Sequence, residues 1–480
     1  MPISITEAQP PLKFIPPAFD PVVYRFTKLV LPAWLRWRVQ LVEIQVSNPE
    51  TLVNLYRQFQ TGNIRFMMAF RHPSTNDPYC MFHLLSQCLP KVAKQQGVEL
   101  AKPIHAHFIY DRGIPLWAGK PVGWLYSRLG CTPIRRGKVD LQGLRSARQL
   151  FVEGRFPMAA APEGATNGHS EVVSPIESGI AQFGFWCVED LRKAKRSEQV
   201  MIVPIGIQYH YATPPWQELD TLLSELEADA GLLLYPEDDS ELGSFADQSQ
   251  ELLYKRLIRL SEHLLLQMEK FYTKFYHQNP QVPLAERSTS EATDLASPEM
   301  TQSSIAANQP LAERLHTLLN AALVVAEQHF GLPPKGSLTD RCRRLEQAGW
   351  DWIYREDLKH LEGLSLVERG LADRIAEEAN LRLWHMRLVE TFVSVTGHYV
   401  FEKPTVERFA ETTLLLWDMV TRIKGKTPFP RPCLGAQRVQ MTVGEPIAVS
   451  ERWADYKANR RQAVAVLTHD LQLALENMIF

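Results

Sequence analysis

IRFMMAFRHPSTNDPYC, Ile64 to Cys80, decides the fold. Its first seven residues are almost wholly apolar, too few for a helix of ordinary length, and they stop at a polar turn; that is how a strand buried on both faces reads. Pro78 then stands where a proline is favoured, in the first turn of a new helix. Working outward, four further short β-type runs separate helical patterns: AHFIY (106–110), CTPIR (131–135), FPMAAA (156–161) and VMIVPIGI (200–207). One of the intervening patterns, DLQGLRSARQLFVEG, closes on Gly154 as a candidate C-cap. Strands alternating with helices predict an α/β class with a mostly parallel sheet flanked by helices.

Beyond Tyr211 the pattern turns helical, as in LLYKRLIRLSEHLLLQMEKFYTKFYH. Residues 281–310 are rich in Ser, Thr, Ala, Gln and Pro and hold too few large apolar residues to order themselves, so a disordered linker is expected there. Amphipathic helices resume from Leu311, and the β character of RVQMTVGEPIAV returns before Ser450, a candidate cap for a final helix. The expected organisation is an N-terminal basic and aromatic segment over 1–48, an α/β core over 49–212 and a helical extension over 213–280. After the 281–310 linker follow a helical subdomain over 311–432 and a closing strand and helix over 433–480 that return to the core. The helical stretch then reads as a large insertion.

Composition narrows the class only coarsely. With 480 residues, 45% apolar and 22% charged, the chain is globular and exceeds one ordinary single-core domain. Its 52 basic and 54 acidic residues give a net charge of -2, which offers no electrostatic footprint for nucleic acid. The six cysteines show no metal-ligand spacing, and no metal or cofactor is expected. No uncharged apolar run is long enough for a spanning helix. VVYRFTKLVLPAWLRWRVQL (22–41) interleaves Arg25, Lys28, Arg36 and Arg38 with Tyr24, Phe26, Trp34 and Trp37, a composition suited to a lipid headgroup boundary. The competing reading packs its apolar face on the core, and Pro32 is expected to divide the helix.

Four short stretches can carry chemistry. His72 and Asp77 stand five positions apart just after the first strand, where an α/β sheet opens its ligand crevice, and an imidazole oriented by a carboxylate takes a proton from an alcohol. This is the only such spacing among 14 histidines; roughly one is expected by chance at average aspartate content. In the plainer alternative Asp77 only caps the helix at Pro78. Glu163 and Gly164, in AAAPEGATNG, sit at another strand end, where turn N–H groups can meet a phosphate or an oxyanion. Arg135, Arg136 and Lys138 cluster after a third strand and suit phosphate. VPIGI (203–207) looks structural alone. No GxSxG elbow surrounds any serine.

In order and spacing these stretches resemble the four sequence blocks of the glycerolipid acyltransferase superfamily, the PlsC-type or lysophosphatidic acid acyltransferase-like proteins. HPSTND resembles its H-x4-D block, GCTPIRR its G-x5-R block through Gly130 and Arg136, PEG the start of its P-E-G-T-R-S block, and VPIGI its V-P-V-x-I block. The chain departs from the pattern at Ala165, Thr166 and Asn167, and at Arg71 where many members carry asparagine. The resemblance implies catalysis by His72 with Asp77, acceptor-phosphate contacts from Arg136, Glu163 and Gly164, and a supporting role for Pro204. It implies an acyl carrier protein or coenzyme A thioester as donor, lysophosphatidic acid as acceptor, and a peripheral place on the cytoplasmic face of a membrane. Glycerol 3-phosphate or another lysolipid as acceptor, and a catalytically idle lipid-binding scaffold, stay open as alternatives.

Overall fold

The computed structural model describes residues 7–135, 140–232, 245–278, 302–358, 363–392 and 399–479. Two compact units emerge, Leu12–Pro214 with Gly435–Phe480, and Met1–Pro11 with Pro215–Leu434. The first is α/β. It begins with helix α1 (Pro21–Trp34), whose N-cap Asp20 accepts from the Val22 and Val23 N–H groups and which buries Tyr24 and Leu31. Pro32 does not divide α1, contrary to the sequence expectation. The carbonyl that a residue at position 32 would ordinarily bond, that of Lys28, accepts instead from the Gln87 side-chain amide at 3.2 Å, and the helix continues into a π-helical turn over Leu35–Val39.

Strand β1 (Leu41–Ser47) follows, so residues 12–48 belong to the α/β unit and are no separate segment. Then come α2 (Pro49–Gln60), β2 (Ile64–Phe70), α3 (Asp77–His83), α4 (Leu89–Gln95), β3 (His107–Asp111), α5 (Ile114–Ala118), α6 (Lys120–Arg128) and β4 (Thr132–Ile134). The succession runs on through α7 (Leu141–Glu153), β5 (Met158–Ala160), α8 (Gly179–Lys193) and β6 (Gln199–Tyr211). The strands align in the order β1, then a later strand, β6, β2, β5, β3, β4. β2 is parallel to both β6 and β5, and β3 is parallel to β5 and β4.

All seven residues of β2 are buried, as its sequence requires of a central strand. Phe66, Met68 and Phe70 enter a core with α1 to α4, while Met67 and Ala69 enter a second core on the other face with α7 and α8. Arg65, at the start of β2, donates to the carbonyls of Leu150, Phe151 and Gly154 and closes the C-terminus of α7. Gly154 does cap α7, though not by a left-handed turn: its φ is -58°, and a Cβ there would lie 2.2 Å from the Leu150 oxygen and 3.0 Å from the His107 ring. The glycine is needed for close approach.

The second unit is helical: α9 (Trp216–Asp229), α10 (Phe245–Tyr276), α11 (Gln302–Phe330), α12 (Leu338–Ile353), α13 (Leu366–Phe392), α14 (Tyr399–Glu402) and α15 (Val406–Ile423). Buried carboxylates tie successive helices through arginines, Glu227 to Arg256, Glu269 to Arg314 and Glu327 to Arg341, each at 2.7 Å. The stretches expected as a separate extension and subdomain thus form one body. Helix α11 starts within the expected linker, and residues 281–301 of that linker lie outside the described residues.

The chain returns to the sheet as β7 (Gln437–Val443), antiparallel to β6 and parallel to β1, and β8 (Ile447–Ala448), antiparallel to β6. Helices α16 (Trp453–Ala458) and α17 (Arg460–Glu476) complete the unit, α17 burying Val464, Leu467, Leu471 and Leu475 on the second core. Ser450 does not cap the final helix. Its hydroxyl accepts from the Val200 N–H at 2.8 Å, and Asn459 caps α17 by accepting from Gln462 N–H. Tyr211 pairs with Gln437, and the Ala212 N–H donates to the Ala436 carbonyl, so the helical unit is inserted in a β6–β7 hairpin. Replacing residues 215–434 by a short Gly-Ser turn should leave a cooperatively melting α/β unit, read by circular dichroism on heating; a chain without a melting transition would contradict this closure.

Candidate active site

The carboxyl ends of β2, β5 and β6 face the same way because these strands are parallel, and the segments that leave them meet. His72 follows β2 by two residues. Its Nδ1 lies 2.9 Å from Asp77 Oδ2, which also accepts from the Ser74 N–H at 2.8 Å. The other oxygen, Oδ1, accepts from the Tyr209 hydroxyl at 2.5 Å. Asp77 is fully buried, whereas the His72 side chain is 21% exposed. A buried acceptor at Nδ1 fixes the proton on that nitrogen, which leaves Nε2 as the basic atom of a ring that reaches solvent.

Helix capping does not account for Asp77. The N-cap of α3 is Asn76, with no side-chain cap bond, and Asp77 is the first helical residue. Its carboxylate turns back on the turn that carries His72, so the spacing of five reflects a closed loop between the two side chains. Tyr209 holds the loop from the side of β6. Burial and the adjacent Asp77 charge push its phenol well above the ordinary value, so it stays a donor. Cys80, 3.6 Å from that hydroxyl, is also pushed up, by burial first and by Asp77 next, and remains a thiol.

Glu163 binds the second half of the site. Its Oε1 accepts from the His72 backbone N–H at 2.7 Å, and its Oε2 accepts from the Ser174 N–H and the Asn167 side-chain amide, each at 3.0 Å. The Arg71 guanidinium lies 3.8 Å away with both side chains wholly buried, and it donates to the carbonyls of His169, Ser170 and Val172. Burial pushes the Glu163 carboxyl up, against the opposing pull of Arg71 and the backbone donors. The carboxylate is therefore a joint between the His72 turn and the loop after β5. Gly164 adopts φ +74°, which a glycine accepts without strain, and its N–H donates to the Ala161 carbonyl at 3.3 Å.

Pro204 lies elsewhere. It pairs with Ala69 in the sheet and lines a shallow depression with Gly444, Ile447 and Met478, on the face opposite Tyr209. Arg136, with Lys138, lies outside the described residues. Of the described neighbours, Asp140 caps α7 through the Gly143 N–H, accepts from the Arg135 N–H at 2.9 Å and pairs with Arg112. No family model, curated protein or solved structure matches this chain.

Sequence reasoning did not find Tyr209 or the organising parts of Arg71 and Asn167. A signal existed for the first, since Ile205, Ile207 and Tyr209 alternate onto the Phe70 face and place a hydroxyl where β6 ends. Arg71→Met should leave the buried Glu163 carboxyl without its guanidinium neighbour and release three carbonyls. A loss of about 3 kcal/mol or more is expected in urea unfolding, and a change below about 1 kcal/mol would mean that the loop holds without Arg71.

Proposed function

We propose that this protein is an O-acyltransferase that moves a fatty acyl group from an acyl carrier protein or coenzyme A thioester to the hydroxyl of lysophosphatidic acid. The observation that carries the reading is the partly exposed His72 imidazole, held at Nδ1 by a buried carboxylate at the carboxyl ends of parallel strands. His72 Nε2 takes the acceptor's hydroxyl proton as that oxygen forms a bond to the thioester carbonyl carbon. The carbon–sulfur bond then breaks, and the departing thiolate takes the proton back from the imidazolium. The acyl ester and a free thiol result, with no acyl-enzyme. The buried, protonated state of Cys80 supports the direct route.

Acceptor binding rests on the resemblance, both for Arg136, whose guanidinium suits a phosphate, and for the turn at Gly164. Glu163, with both oxygens engaged by donors, organises the turn, and Pro204 shapes β6. Purified protein, offered lysolipid and glycerol-phosphate acceptors with both kinds of thioester, should form product detectable by mass spectrometry. His72→Ala should lower the rate by at least about 100-fold while the fold persists. Silence of folded wild-type protein across the panel would overturn the reading.

The reaction belongs at a membrane surface, and α1 supports this. Among the described residues no helix is long and apolar enough to cross a membrane. Yet Val22, Phe26, Leu29, Val30, Trp34 and Trp37 are solvent-exposed, Leu29 by 78% and Trp37 by 80%. Arg25, Lys28, Arg36 and Arg38 accompany them, and no acidic residue occurs from Pro21 to Gln40, so an anionic lipid surface is the matching occupant. Tyr24 on the inner face of α1 packs on Phe82 of α3, the helix that begins with Asp77. The protein should cosediment with vesicles containing phosphatidylglycerol and less with pure phosphatidylcholine; Phe26→Ser with Trp37→Ser should weaken binding at least about tenfold. Unchanged binding by the double variant would move the attachment elsewhere.

A further inference from the structure

The proton chemistry assigned to His72 depends on how firmly Asp77 is held and how much of its charge reaches the imidazole. Asp77 is wholly buried, with three donors on its two oxygens. Two of them, His72 Nδ1 and the Ser74 N–H, share Oδ2 and belong to the same short turn as the carboxylate itself. Among the described residues only the Tyr209 hydroxyl, on Oδ1, comes from a distant element, 132 residues along the chain. The turn alone would let the carboxylate swing about its Cβ–Cγ bond. A donor mounted on the central sheet stops that motion.

Tyr209 is itself immobilised. Its ring belongs to the core that holds Phe70, Cys80 and Met81, and its backbone N–H donates to the Ser170 hydroxyl at 3.2 Å, in the loop whose carbonyls Arg71 gathers. The titratable groups around the pair are Asp77 and Cys80 from α3, Tyr209 from β6, Arg71 just beyond β2 and Glu163 from the loop after β5. A buried phenylalanine would serve the packing equally well. The hydroxyl is thus the part that demands a reason, and its 2.5 Å bond to a carboxylate is a charge-assisted one.

We propose that Tyr209 is a positioning residue for the His72–Asp77 pair, its hydroxyl fixing the rotation of the Asp77 carboxylate and withdrawing part of its charge from the imidazole. The proposal rests on the general-base reading of His72. The sign follows from electrostatics: a donor on Oδ1 shares the carboxylate charge, so the carboxylate stabilises the imidazolium less. Removing the hydroxyl makes His72 easier to protonate and moves its titration midpoint to higher pH. The base then loses activity sooner as the solution is acidified.

The test compares wild type with Tyr209→Phe, which keeps the ring. His72 is titrated in substrate-free protein by NMR of labelled histidine, with the resonance absent from His72→Ala assigned to it. The midpoint should rise by about half a pH unit or more. In the acyl-transfer assay, kcat should fall about tenfold with the acceptor KM within about twofold, and the acid limb of the pH profile should move the same way. Should Tyr209→Phe melt early, a fluorotyrosine in place of Tyr209 keeps the shape and strengthens donation, and the midpoint should then fall. An unmoved midpoint in both proteins would reduce Tyr209 to an aromatic core residue. A midpoint that moves in protein silent towards every acceptor would preserve the positioning and overturn the acyltransferase reading instead.

Discussion

A carboxylate taken out of water has to be met by donors, and this α/β unit buries two of them, Asp77 and Glu163, at the same strand ends. Each draws its donors from separate stretches of chain. Asp77 joins the turn after β2 to the end of β6, and Glu163 joins the same turn to the loop after β5. His72 lies at the intersection, its ring bound to one carboxylate and its backbone N–H to the other. The imidazole is therefore placed by charge satisfaction and could not shift without exposing an unpaired anion to the core.

Strands β2 and β6 were legible because they are buried on both faces and so read as unbroken apolar runs that need no context, whereas β1 was not found. The β character of β7 was legible from alternation in Val439, Met441 and Val443, all on one core. Harder features depended on partners distant in sequence. Helix α1 runs through Pro32 with Gln87 bonding the stranded carbonyl, and Ser450 serves a strand amide 250 residues away instead of a helix. Nothing local to either residue records this. The His72–Asp77 contact was visible because both members lie in one turn, whereas Tyr209 and Arg71 act across the fold, where spacing carries no message.

Arg71 and Asn167 hold the loop after β5 from two sides. Arg71 supplies buried positive charge and three carbonyl contacts to the loop after β5, while Asn167 bonds both Glu163 and the Val172 carbonyl. Together they give that loop a closed hydrogen-bond circuit whose strength comes from burial. Loop shape is then set by the interior and not by whatever solvent or ligand lies outside.

The position of β7 between β1 and β6 bears on how the chain matures as it is made. Ribosomal synthesis delivers β1 to β6 first, then the whole helical unit, and only afterwards the strand that joins β1 to the sheet. Until residue 443 clears the exit tunnel, β6 presents an unpaired, apolar edge and β1 has no neighbour. The nascent α/β half thus waits, for the time taken to translate more than two hundred residues, in a state that invites strand addition from other chains. A trailing strand makes the sheet complete in one late step, and only from that step onward is the edge of β6 covered.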